Sequence, residues 1–228
     1  MVTARRRFLS KHHFDFLIKP LVLTTKPVID SHVAANLECN ILDVGCGDGY
    51  FLAELARNLT KSQEHSSSFH YYGMDLSKDA LKVAASKHHS CQFFLANVHY
   101  EIPVRNQSAA LITNIFAPRN FSEYSRILTR EGKLVIVIPN SRHLNELRNF
   151  VDLLKIEENK EQKLVSSAKN FELVSSQALE SMTELERNDI IDLMNMTPNF
   201  WHKMESAALP SKLSVTFSFQ LLTFKSEL

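Results

Sequence analysis

The chain has 228 residues, 44% of them hydrophobic, and its 26 basic and 25 acidic side chains leave a net charge of +1. That length fits one α/β domain with extra segments, and the composition excludes both a disordered chain and a strongly basic, indiscriminate nucleic-acid binder. No apolar run approaches a membrane span and no apolar signal core opens the chain, so no membrane partner is expected.

Residues 1–38 precede the regular pattern. Arg5, Arg6, Arg7, Lys11, His12 and His13 make a basic start, which suits phosphate contacts and a solvated face about equally. Helical patterns follow around Phe14–Val22 and Pro27–Leu37. Ile41–Gly45 is the first strand, and the next helix carries Leu52, Leu55, Ala56 and Leu59 on one face. Past a polar loop at 61–68, Phe69–Met74 is the second strand, ending in Asp75. Ser77 then caps a helix with Ala80, Leu81 and Ala84 at helical spacing. Gln92–Leu95 is a third strand and Ala109–Ile115 a fourth. A helix facing Phe121, Tyr124, Ser125 and Leu128 inward leads through a turn at Glu131-Gly132 to the fifth strand, Leu134–Ile138.

The pattern then loosens. Glu146–Leu154 is amphipathic, Glu157–Lys163 very polar, and a strand is expected near Phe171–Ser175. Thr183-x-x-Glu186 has the form of a capping box opening a helix with Ile190, Ile191 and Met194 inside, and Leu213–Phe224 alternates as a terminal strand.

This alternation predicts a Rossmann-like α/β fold, a mostly parallel doubly wound sheet with N-terminal helices. Residues 1–38 form the helical segment, and 39–228 the main domain with substrate-side insertions around 140–205. Right-handed crossovers place Asp43, Asp75, Asn97 and Asn114 along one sheet edge, outside which such folds bind ligands. The scattered cysteines Cys39, Cys46 and Cys91, without a C-x-x-C pair, predict no disulfide framework and no metal site, as expected of a reduced cytoplasmic protein. Cys46 stands near a helix N-terminus, which can lower a thiol pKa, but its small size is the simpler reason for it.

At the end of the first strand stands Asp43-Val-Gly45-Cys-Gly47-Asp-Gly49. Its spacing differs from the G-x-G-x-x-G that seats a pyrophosphate. An acidic strand end suits a ligand with an amino group and a sulfonium better than a phosphate. The segment resembles the S-adenosyl-L-methionine loop of class I methyltransferases. In that resemblance Asp43, Gly45, Gly47 and Gly49 hold the cofactor, Asp75 takes the ribose hydroxyls, and Leu76, Asn97 and Val98 meet the adenine. A ligand-free glycine turn and a surface carboxylate at Asp75 are the plainer alternatives.

Further segments narrow the likeness: Ala4-Arg-Arg-Arg-Phe-Leu9, Asn114-Ile-Phe-Ala-Pro118, Ile138-Pro-Asn-Ser-Arg142-His143-Leu-Asn-Glu146-Leu147, and Leu193-Met-Asn-Met196-Thr-Pro198-Asn-Phe-Trp201. Together they resemble the bacterial 23S rRNA (guanine-N1)-methyltransferase family. The resemblance implies a ribosomal RNA partner and methylation of guanine N1 in a hairpin. It makes Asn114, Phe116 and His143 catalytic candidates, with Phe116 suited to stacking a base and His143 to acting as a base. Arg5, Arg6, Arg7, Arg119, Arg142 and Trp201 become candidates for holding the substrate. The sequence departs from the family in lacking its Cys-rich zinc module, which implies a weaker grip on RNA. Asn114 also stands where a basic residue is expected. A methyltransferase of small molecules and a non-catalytic cofactor-binding module are the alternatives, and a homodimer is kept open.

Overall fold

Strands that read as continuous apolar runs must be covered on both faces, and the runs at 41–45, 109–115 and 134–138 become the centre of the sheet. The computed structural model describes residues 1–35, 37–60, 69–151, 153, 157, 159–197 and 209–227. Its strands are β1 (Cys39–Val44), β2 (Phe69–Asp75), β3 (Gln92–Leu95), β4 (Ala109–Ile115), β5 (Leu128–Pro139), β6 (Phe171–Glu186) and β7 (Lys212–Ser226). They form one sheet in the order β3-β2-β1-β4-β5-β7-β6. The first five are mutually parallel, whereas β7 runs antiparallel between β5 and β6.

The helices are α1 (Val2–Ser10), α2 (Ile18–Ala34), α3 (Tyr50–Thr60), α4 (Lys78–Lys87), α5 (Phe121–Ile127), α6 (Lys160–Ser167) and α7 (Arg187–Met196). Period-two alternation sends Cys39 and Ile41 of β1 into one core and Leu42 and Val44 into the other. The first core packs beneath α2, α3 and α7, and the second beneath α5 and α6. The N-terminal helices are part of this first core. Phe8, Leu17 and Leu21 are fully buried in it, each contributing about 1.5–3 kcal/mol by leaving water. Ser77 caps α4 as expected, its hydroxyl accepting from the Ala80 N–H at 3.2 Å.

Five local expectations are revised. The two helical patterns before β1 fall largely within one helix, α2, which runs through Pro27 because Leu21, Thr25, Val28, Ile29 and His32 bury a continuous face. Glu131-Gly132 lies within β5, where its pairing with β4 is bulged. Gly132 fits because a Cβ there would stand 3.0 Å from the Ala109 carbonyl oxygen. The segment from Glu146 forms a short 3-10 turn, Asn145–Asn149, and residues 152 and 154 lie outside the described residues. Thr183-x-x-Glu186 is not a capping box. It is strand, with Thr183 opposite Val215 and Glu186 opposite Lys212, and α7 starts at Arg187 without a side-chain cap. Pairing with β7 carries β6 far beyond the expected 171–175. Its mostly exposed side chains left no apolar signal to read.

Candidate active site

Asp43, next to last in β1, is fully buried, its Oδ1 accepting from the Thr113 hydroxyl of β4 at 2.7 Å. Burial pushes this carboxyl up to about 6, against the opposing pulls of the Thr113 hydrogen bond and the nearby Arg5. The chain then turns through Gly45, Gly47 and Gly49, all at positive φ. The turn is tied down by the Gly45 and Cys46 N–H groups, which donate to the Met74 carbonyl at 2.8 and 3.0 Å. At Gly45 a side chain is excluded twice: φ is +78°, and a Cβ would sit 2.3 Å from that of Ala117. Burial, with the charges of Asp43 and Asp75, pushes the Cys46 thiol up, so the helix-terminus effect does not prevail. Cys46 is a small residue under Gly73, where a Cβ would come within 2.9 Å of its Sγ.

Asp75 closes the loop from the side. Its Oδ2 accepts from the Gly47 N–H and its Oδ1 from the Ser77 N–H, both at 2.8 Å. Beside it lies a cavity of about 140 Å³ lined by Gly45, Asp75, Leu76, Asn97, Val98 and Pro118, among others. Leu76 is 68% exposed there, an apolar side chain left for a flat ligand to cover. Five sequence-derived candidates for the cofactor thus share one cavity.

A second cavity, of about 470 Å³, opens on the other side of Ala117. Its apolar wall holds Phe14, Phe116, Leu193, Met196 and Phe219, and its cations are Arg5, Arg119, Arg148 and Lys160. Glu157 is the acid on that wall among the described residues, and it accepts from Lys163 at 2.6 Å. Burial lowers the pKa of Arg119 and of Lys160, whose ammonium also feels Arg119 beside it. Arg148 is held by the Leu153 carbonyl at 3.3 Å. Cations gathered and half-desolvated on an aromatic wall fit an anionic, planar ligand.

The catalytic candidates fare differently. Phe116 lines this cavity at a positive φ of 58°, its ring 4.7 Å from that of Phe219. His143 also lines it, largely buried against Phe219. Its Nδ1 accepts from the Ser218 N–H at 3.4 Å, and burial lowers its pKa to about 3. The ring is therefore neutral, with its proton on Nε2, and it meets the cavity as a donor, whereas the sequence suggested a base. Asn114 is fully buried beneath the loop. Its Nδ2 donates to the Val44 and Pro118 carbonyls and to the Tyr124 hydroxyl, so it shapes the Phe116–Pro118 turn from below.

The candidate substrate residues scatter. Arg119 lines the large cavity, but Arg142 is 70% exposed on another face and pairs with Glu180 at 2.9 Å. Arg5 points at the glycine loop and Arg6 at solvent, while Arg7 grips Asp192 of α7 through Nε at 2.8 Å and through its terminal nitrogen. Lys11 pairs with Asp189 of the same helix. Glu146 fastens the 3-10 turn to β7, accepting from the Thr216 N–H and hydroxyl. Trp201 and the 198–208 segment lie outside the described residues. Sequence reading missed Phe14, Arg148, Lys160 and Phe219, which no short motif links. Among the described residues no cluster of three or more metal-ligating side chains occurs, and no helix is long and apolar enough to cross a membrane.

A family model described as a methyltransferase domain matches residues 36–205. A 23S rRNA (guanine(748)-N(1))-methyltransferase of Streptomyces fradiae is 32% identical across 96% of this chain and 78% of its own length. The solved structure of a SAM-dependent methyltransferase from Aquifex aeolicus aligns with a TM-score of 0.51 at 12% identity, covering 91% of this chain and 96% of that one. That last likeness is one of fold.

Proposed function

The chain belongs to the methyltransferase-domain family and, within it, to the 23S rRNA (guanine-N1)-methyltransferases, and on that premise we propose that it methylates N1 of a guanine in a hairpin of large-subunit ribosomal RNA. The enzyme depends on S-adenosyl-L-methionine. Its residues fit that cofactor: a glycine cradle that a Cβ would fill at Gly45, Asp75 beside the ribose position, and an uncovered Leu76 for the adenine. When bound, the cofactor supplies an electrophilic methyl group on a sulfonium.

The observation that carries the substrate reading is the large cavity, with aromatic walls and cations from four separate segments. A small apolar substrate has no use for those charges, whereas a nucleotide turned out of its hairpin brings a flat ring and phosphates together. Phe116 and Phe219 offer the apolar wall for the ring. Arg119 and the Nε2–H of His143 are donors that stabilise O6 as negative charge develops on N1, with the N1 proton leaving to solvent. Asn114 acts through the Phe116–Pro118 turn, holding Ala117 against Gly45 between the two cavities. Most of the rate then comes from position, as expected for in-line transfer between two held partners.

The test uses labelled cofactor and ribosomal RNA from a strain lacking the family enzyme, with the product fragments read by mass spectrometry. The expected result is one methyl on guanine N1, with binding that weakens steeply as salt rises. Arg119→Ala should reduce RNA affinity and leave cofactor affinity unchanged. Turnover on a small molecule with no methylated guanine would overturn the reading.

A further inference from the structure

Three consecutive arginines on a helix point about 100° apart, so Arg5, Arg6 and Arg7 cannot do one job together. Arg7 and Lys11 fasten α1 to α7 through Asp192 and Asp189. The Phe8 ring packs edge-on against Phe217 of β7. Those attachments aim Arg5 at the glycine loop. A Cβ on Gly47 would lie 3.1 Å from the Arg5 Nε, so the guanidinium lies against the bare backbone there. The side chain is only 21% exposed, and its Nε stands 3.5 Å from Oδ1 of Asp48, itself 6% exposed. Neither atom has a hydrogen-bond partner. Two buried polar atoms joined as an ion pair but making no hydrogen bond, over a glycine cradle, mark a place where a ligand completes the pairing.

The cofactor supplies a suitable group. Its adenine and ribose end belongs with Asp75, Leu76 and Asn97, so its amino-acid end runs along the loop away from Asp75. That end carries a carboxylate, and a guanidinium fork matches a carboxylate in two parallel hydrogen bonds. We propose that Arg5 binds the carboxylate of the cofactor's methionine end, with Asp43 and Asp48 supplying the negative field for the ammonium beside it. The basic start of the chain is thereby divided: Arg5 serves the cofactor, Arg7 holds the helix, and Arg6 faces solvent. The inference concerns the cofactor and stands whether or not RNA is the substrate.

The experiment is calorimetric titration of the parent protein, Arg5→Gln, Arg5→Lys and Arg6→Gln with S-adenosyl-methionine and with its decarboxylated form, which keeps the amine and lacks the carboxylate. Arg5→Gln should weaken S-adenosyl-methionine by roughly tenfold or more, the worth of a charge-assisted pair, and change the decarboxylated form less than twofold. Arg5→Lys should fall between, keeping the charge without the fork, and Arg6→Gln should change neither ligand. Equal losses for both ligands in Arg5→Gln and Arg5→Lys, or unchanged affinity for both, would overturn the proposal. Should Arg5→Gln fail to fold, Arg5→Lys alone decides by the same ratio. If the parent protein bound neither ligand, the cofactor assignment itself would fall, which is a different result from a lost preference.

Discussion

The two cavities flanking Ala117 are built in opposite ways. The smaller one is made almost entirely of backbone turns and strand ends from β1, β2 and β3, close in sequence and held by main-chain hydrogen bonds. The larger draws side chains from α1, the β4 and β5 ends, the start of α6, α7 and β7, spanning Arg5 to Phe219. Local backbone geometry makes the first site rigid but intolerant of added atoms. Assembly from distant helices makes the second adaptable and dependent on the whole fold.

The severest way to break that contrast is Gly45→Ala. It combines positive φ with a 2.3 Å clash against Ala117 and should weaken the cofactor by roughly a hundredfold or more, with a lower melting temperature. Adding Ala117→Gly should recover part of the loss, since it removes the clash and leaves the φ strain; no recovery would show that the contact is unimportant. On the other side of Ala117, His143→Phe should lower the methylation rate about ten- to a hundredfold with cofactor affinity intact, as expected for removal of one donor. His143→Gln, which can still donate, should retain more activity, and a rate as low as that of His143→Phe would refute the donor role. Asp75→Ala should weaken the cofactor about tenfold, because ribose partners and loop contacts go together.

A smaller effect sharpens the comparison through pH. Asp43 has a folded-state pKa near 6, above its ordinary 3.8. The groups acting on it are Thr113, Arg5 and Asp75. Being raised, it favours the ligand-free fold at low pH, and that contribution is lost as pH rises from about 4 through 6. A sulfonium and an ammonium nearby favour the ionised form, so cofactor binding releases a proton. Affinity should therefore drop about fourfold between pH 7.5 and 5.5, and Asp43→Asn should flatten the profile. A pH-independent affinity in the parent protein would count against this. Smallest of all, Arg7→Ala should destabilise more than Asp192→Ala. Removing Arg7 leaves the buried Asp192 carboxylate unpaired, whereas in Asp192→Ala the exposed arginine returns to water; thermal melts of both variants measure the difference.

Legibility in the sequence follows the same division. The parallel strands, Ser77 as a cap, and the shared cavity of Asp75, Leu76, Asn97 and Val98 could be read because glycine spacing and apolar runs are local signals. The reach of β6 could not, since an outer strand with one partner and polar faces carries no apolar alternation. Nor could the direction of each arginine in α1, which depends on the acids of α7 more than 170 residues away. Nor could the tautomer of His143 be read, because the bond that fixes it comes from a backbone N–H on β7.

The order of synthesis decides when the enzyme becomes competent. Phe8 and Phe14 pack on Phe217, and Phe14 also on Phe219, in a strand made long after them. α1 leaves the ribosome before the sheet but has no complete surface to rest on until β7 follows. The β1–β4 half can collapse while translation continues, whereas Arg5 reaches the glycine loop, and the large cavity gains its far wall, only once β7 has emerged. A nascent chain stalled before residue 212 would then carry the glycine loop and Asp75 without the complete large cavity, so methyl transfer has to wait for β7.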